Sequence, residues 1–144
     1  MGDLNHGFPI ILDELDRERP AVAAGMMGIA RSSFEAAVYY LSTREQFGRP
    51  IRHFEGVSFK IADMAVKLEA SRLLILHAGR VLGRGEGARK AGAVAKLYAI
   101  RNCLRGGARV FASPRRYGYT KELPVERYFR DARFMTIGGG TVKS

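Results

Sequence analysis

The sequence has little of what usually settles a fold or a chemistry at once. It holds one cysteine, Cys103, so no internal disulfide can form and a reducing cytoplasm is the default location. No apolar run is long enough to cross a bilayer, and Gly2-Asp3-Leu4-Asn5 is no secretory leader. No stretch alternates apolar and polar residues as a half-buried strand would. The three histidines, His6, His53 and His77, share no metal-ligand spacing with one another or with a carboxylate pair. Ser32, Ser33 and Ser58 have no His and Asp arrangement nearby to support nucleophilic catalysis. Internal repeats and low-complexity segments are lacking too. These absences argue against a disulfide scaffold, a spanning helix, a strand-rich fold, a metal centre and a serine nucleophile.

What is present is a helical pattern and an excess of positive charge. The 144 residues suffice for one domain with a real core, and 47% hydrophobic with 26% charged residues is ordinary for a globular chain. The net charge of +10 favours anionic partners. It is spread as single Arg and Lys residues, with one run at Arg115-Arg116. No zinc-ligand spacing, RNA-binding aromatic signature or basic-zipper pattern accompanies it, so nucleic acid is disfavoured. A phosphate-bearing ligand or a basic face used in assembly fits better.

Ala23, Met27, Ala30, Phe34, Ala37 and Leu41 recur at helical steps and mark one apolar stripe. Pro20 fits the first turn of that helix, where its missing N–H costs nothing. A shorter helix or turn over about residues 9–17 is expected before it. Gly48-Arg49-Pro50 should end the first helix. A second helix is expected over about 54–82, with Phe54, Val57, Ile61, Met64, Leu68 and Leu76 inward. A flexible Gly83–Gly87 connection leads to a third, about 88–111, with Ala93, Leu97, Ile100 and Leu104 inward and Gly106-Gly107 weakening its end. After a loop over 113–124, a short fourth helix covers about 125–135 and Gly138-Gly139-Gly140 closes it. Long amphipathic helices with short connections bury their stripes best as an all-α, antiparallel up-and-down four-helix bundle. The abrupt lead-in and the glycine loop near the end read as a piece of something longer.

The residues that could carry chemistry have ordinary readings beside functional ones. Cys103, near the inner side of the third helix, reads as a buried inert thiol. The glycine triplet is either a helix terminator or a backbone that must approach a ligand closely. Arg44, near a helix C-terminus, offsets the dipole. Glu18, two residues before Pro20, is either a carboxylate at the positive end of a helix or a group placed to take a proton.

Four stretches in register point further. They are "REQFGRPI" (Arg44–Ile51), "FKIADMAVKLEASRLL" (Phe59–Leu74), "YGYTKELPVERYFRDAR" (Tyr117–Arg133) and "IGGGT" (Ile137–Thr141). Together they resemble the C-terminal helical domain of an acyl-CoA dehydrogenase, over nearly the whole chain from Gly7 onward. The resemblance implies a flavoprotein with an N-terminal helical domain, a middle β domain and a C-terminal four-helix bundle through which homotetramers usually form. On it, the present chain is the single C-terminal bundle, residues 1–144, without the other two domains. The implied reaction oxidises an acyl-CoA thioester to the 2,3-enoyl-CoA. A carboxylate removes the α proton, the β hydrogen leaves as hydride to FAD, and electrons pass on to an electron-transferring flavoprotein.

The resemblance also implies roles for individual residues. Many members carry the base as a glutamate in the loop after the last helix, where this chain has Gly138-Gly139-Gly140-Thr141. A smaller group, including isovaleryl-CoA and long-chain dehydrogenases, supplies it from a Leu-Asp-x-Glu-Arg segment, which Leu15-Asp16-Arg17-Glu18-Arg19 matches. Glu18 is thereby the implied catalytic base. Asp16, Arg19 and Gly140 match positions lining the thioester and pantetheine end. Arg44, Glu45 and Gln46 match a segment that reaches the FAD of a neighbouring subunit, with Arg44 at the pyrophosphate. Glu55 stands where a glutamine usually faces FAD, and Thr141 to Lys143 match a segment touching flavin phosphate or ribityl groups. Besides Glu55, two features depart from the pattern. The usual Gln-x-x-Gly-Gly stretch reads "RVFASPRRYGY" here, and Lys143 replaces a glutamate or glutamine. They sustain a second reading, a degenerate paralogue whose bundle serves oligomerisation or partner binding without flavin chemistry. On either reading the isolated chain is expected neither to hold FAD tightly nor to turn over acyl-CoA.

Overall fold

A computed structural model of the chain describes residues 2–112, 121, 124–138 and 140. Helix α1 spans Gly7–Thr43, α2 Glu55–Gly83, α3 Arg89–Ala112 and α4 Val125–Phe134. Between α1 and α2 lie two short paired strands, β1 (Glu45–Gln46) and β2 (Arg49–Pro50), and one 3₁₀ turn, Ile51–His53. The helices alternate in direction. Ala37 on α1 meets Met64 on α2 and Val125 on α4, whereas Ala23 and Met26 meet Ala78, Ala95, Ala99 and Ala132. The expected all-α up-and-down bundle is therefore what the chain forms.

The largest interface is that of α1 with α3. Its core is built largely of alanines, which let the helix axes approach, and Met26 and Ile100 are the bulkiest fully buried side chains. Burying each contributes about 1.5–3 kcal/mol. Buried Ser33 and Ser71 satisfy their hydroxyls locally, donating to the carbonyls of Ile29 at 2.9 Å and Lys67 at 2.8 Å. Arg44 closes α1 by donating its backbone N–H to Tyr40 O at 2.8 Å.

Three expectations need correction. Pro20 does not open a helix; it lies inside α1, which runs unbroken from Gly7. Proline in a helix interior costs roughly 3 kcal/mol, and here burial of the ring against α3 offsets part of it. The inward stripes are rotated as well. On α1, Met26 and Ser33 are the buried positions, with Met27 and Phe34 only part-buried. On α3, Ala95, Lys96 and Ala99 face inward while Ala93 and Leu97 are exposed, and α2 exposes Leu76. The hydrophobic pattern gives each stripe to within about one residue, and the alanine-rich contacts of α1 with α3 set its final rotation. Lastly, Phe47-Gly48 make a two-residue hairpin turn with φ of 53° and 74°, a geometry matching the twist of the short strands beside it. Strands this short leave no alternating pattern to read.

Candidate active site

The site is built where α1 crosses α3. Gly92 lies so close to α1 that a Cβ there would sit 3.2 Å from Pro20 Cδ and 3.4 Å from Arg19 Cβ. This crossing fixes the turn Asp16–Pro20 on the bundle. Pro20 has no N–H, so the Asp16 carbonyl loses its ordinary helical donor. The Asp16 carboxylate, 16% exposed, accepts from Arg19 Nη1 at 3.3 Å and from Arg89 Nε at 3.1 Å. It links α1 to the first residue of α3. Glu18 and Arg19 are both half-buried.

One turn beyond Gly92 on α3 stands Lys96, only 4% exposed. Its Nζ donates to the backbone carbonyls of Gly138 and Gly140. Burial pushes its pKa below the ordinary lysine range, the Arg19 charge adds to that, and the Glu18 carboxylate works against it. A Cβ on Gly140 would lie 3.9 Å from Lys96 Nζ, and Gly140 has a φ of 108°, a conformation side chains rarely adopt. Lys96 therefore brings the Glu18 turn and the closing glycine segment into one electrostatic neighbourhood.

Lys96 is a residue that sequence reading missed. Its signal is faint but present: it lies four residues from both Gly92 and Ile100 and seven from Cys103, on one helical face. A lysine on a face otherwise small and apolar marks a buried cation. Cys103 itself is buried, and desolvation pushes its thiol up to about 12, as an inert core thiol requires.

The other candidate residues gather at the far end of α1. Arg44, Glu45 and Gln46 are all exposed on β1 and its approach, and Glu55 is the exposed first residue of α2. Gln46 Nε2 donates to the Glu45 carbonyl at 2.7 Å, Arg49 lies 4.4 Å over the Phe54 ring, and Phe47 meets Phe54 edge-on. Arg44 takes no carboxylate partner among the described residues, so its guanidinium fork is available to an anion such as a diphosphate. Glu18 and Arg44 are 26 residues apart in sequence. At about 1.5 Å per residue they lie about 39 Å apart along the helix. Thr141, Lys143 and the Arg115-Arg116 pair lie outside the described residues.

The profile of the "Acyl-CoA dehydrogenase, C-terminal domain" family matches residues 5–143. The chain belongs to the acyl-CoA dehydrogenase family. It is 39% identical to the caffeyl-CoA reductase–Etf complex subunit CarC of Acetobacterium woodii over 98% of this chain and 37% of that protein. It is 37% identical to the mitochondrial short/branched chain specific acyl-CoA dehydrogenase of Bos taurus over 98% of this chain and 33% of that one. Among solved structures, butyryl-CoA dehydrogenase from Megasphaera elsdenii superposes with a TM-score of 0.94 at 37% identity, covering 97% of this chain and 37% of its own. The chain thus spans about a third of the length of these acyl-CoA dehydrogenase relatives. As an acyl-CoA dehydrogenase domain it brings Glu18, Arg19 and Gly140 into the neighbourhood of Lys96, holds Asp16 on Arg19 and Arg89, and sets Arg44, Glu45, Gln46 and Glu55 at the other end. The described residues include no group of three or more metal ligands and no helix long and apolar enough to cross a membrane.

Proposed function

We propose that this chain is the working C-terminal bundle of an FAD-dependent acyl-CoA dehydrogenase that converts acyl-CoA thioesters to 2,3-enoyl-CoA products. The observation carrying this reading is the neighbourhood of Glu18. The α1 turn supplies a half-buried carboxylate whose charge acts on Lys96, and the same Lys96 donates to Gly138 and Gly140, in the segment that resembles the one where many members carry the base. A base for so weak an acid as an α-C–H must be held within hydrogen-bond reach and shielded from water. The Pro20–Gly92 crossing does the holding, and an acyl chain lying against Glu18 would do the shielding. Arg19, Asp16 and Gly140 line the thioester side, with Asp16 keeping Arg19 oriented.

FAD, when bound, supplies the hydride acceptor. Arg44 would hold its pyrophosphate, with Glu45, Gln46 and Glu55 facing the cofactor beside it and Thr141 and Lys143 at its phosphate or ribityl groups. Because the α1 hairpin and the Glu18 turn are separated by the helix length, the hairpin serves the flavin of a second copy, as homo-oligomerisation through the bundle allows. Phe59, Val66 and Leu73, seven residues apart and exposed on α2, support such assembly. Electron-transferring flavoprotein is the favoured electron partner, supported by the Etf complex in the name of a relative. A cytoplasmic setting belongs to the same reading and rests on the lone buried thiol.

Glu18→Gln in the flavoenzyme carrying this domain tests the assignment. Exchange of the substrate α proton should be abolished while FAD remains bound; retained exchange rejects it. The second reading, a bundle without flavin chemistry, is favoured by the stretch from Arg109 to Arg116, which carries neither the usual glutamine nor the paired glycines. That reading wins if the intact protein purifies without flavin and takes up none.

A further inference from the structure

The glycine segment that closes the site has no side chain with which to secure itself. Glycine also gives up more conformational freedom on ordering than any other residue. Gly140 nonetheless has a φ of 108°, in the left-handed region. Two of the carbonyls in this segment, on Gly138 and Gly140, are taken by one donor from another helix, the Lys96 ammonium. The segment follows the C-terminus of α4, where carbonyls lack helical partners and a cation is electrostatically favoured. Moving an ammonium out of water costs several kcal/mol, so a lysine this deeply buried persists only where charge-assisted hydrogen bonds and a carboxylate offset that cost. Among the described residues the charged groups acting on Lys96 are Glu18 and Arg19, both on α1.

We propose that Lys96 is a positioning residue of the active site, whose ammonium clamps the backbone carbonyls of Gly138 and Gly140 and registers them against the Glu18 carboxylate. The proposal rests on the reading of Glu18 as base for its significance, though not for its test. The device explains how a loop stripped of side chains keeps a fixed distance from a base supplied by another helix. The clamp sits on α3, and so base, clamp and loop come from three separate segments locked by the Pro20–Gly92 crossing.

The test is nuclear magnetic resonance on the 144-residue chain. In the unaltered protein, the Lys96 ammonium should show slowed proton exchange and couplings across hydrogen bonds to the carbonyl carbons of Gly138 and Gly140. Lys96→Met keeps the side-chain length and removes the donors. It should leave the far-ultraviolet circular dichroism unchanged while the amide order parameters of Gly138 and Gly140 fall from about 0.85 to below about 0.6. Glu18→Gln should make Lys96 titrate at lower pH than in the unaltered protein, because it removes the carboxylate that, among the described residues, favours the ammonium. Absent couplings, unchanged loop order in Lys96→Met, or an unmoved Lys96 titration in Glu18→Gln would each overturn the proposal. Should Lys96→Met fail to fold, the couplings and the Glu18→Gln titration decide. None of these measurements involves turnover, so they stand or fall separately from the proton-exchange test of Glu18.

Discussion

Replacing Pro20 by alanine should stabilise the domain, and the size of the gain follows from its contacts. Alanine restores the N–H that the Asp16 carbonyl lacks and relieves the helix-interior penalty of proline, about 3 kcal/mol. Against this stand the two buried ring methylenes lost, about 1.6 kcal/mol at roughly 0.8 each, and a more flexible unfolded chain, about 0.4–1 kcal/mol. The net is a gain of about 0.5–1 kcal/mol, or a rise in Tm of about 2–4 °C for a chain of this size. The partner across the crossing sharpens the test. A Cβ at Gly92 would meet Pro20 Cδ at 3.2 Å and Cγ at 3.4 Å. Gly92→Ala alone should therefore destabilise, overpacking of about 1–3 kcal/mol exceeding the helix-propensity gain of about 1 kcal/mol. In the Pro20→Ala background both of those atoms are gone, and Gly92→Ala should turn neutral or stabilising. Urea unfolding of the two single variants and the double variant measures the coupling, expected to be at least about 1 kcal/mol. Additivity within about 0.3–0.5 kcal/mol would refute the reasoning, as would a large loss of stability in Pro20→Ala.

The remaining predictions concern titration. Cys103, with its thiol pushed up to about 12, should resist alkylation in the native chain at pH 8–9 and react at an ordinary thiol rate once the chain is unfolded in urea. Its raised pKa contributes stability that is full below the ordinary thiol value and is lost as pH climbs through the native one. Lys96 behaves oppositely. Its pKa is held below that of an ordinary lysine, so the unfolded chain binds more protons between the two values. Measured against Lys96→Met, the unaltered chain should gain stability as pH rises from the native Lys96 value towards about 10.5. A difference that stays flat across that window would contradict the burial of the ammonium.

Much of this fold is legible in the residues, because helices announce themselves by period. The four helices and the bundle follow from apolar recurrences and from Gly-Pro and Gly-rich stops. Ala23, Ala37, Leu41, Met64 and Ile100 face inward as the pattern says. What escapes is tertiary in origin. Pro20 looks like a helix start, since only the ring's contact with Gly92 makes a mid-helix proline tolerable. Met26 replaces Met27 through the rotation that packing against α3 imposes, and Ala95 replaces Leu97 where an alanine-lined contact admits the smaller residue, which hydrophobicity ranks low. Glu18 and the glycine triplet are visible as candidates, but Lys96, which feels the Glu18 charge and donates to Gly138 and Gly140, is a residue whose burial no local rule anticipates. Positive φ at Phe47 is equally hidden: only the strand pairing around it demands it.

The unbroken run of α1 through Pro20 also fixes a phase. The turn bearing Glu18 and the hairpin bearing Arg44 are spokes on one axle. Inserting a single residue between them would swing one spoke by about 100° and push it about 1.5 Å outward relative to the other. The number of residues from Glu18 to Arg44 is thus as constrained as their identity, whereas the Gly83–Gly87 connection can gain or lose a residue with neither spoke displaced.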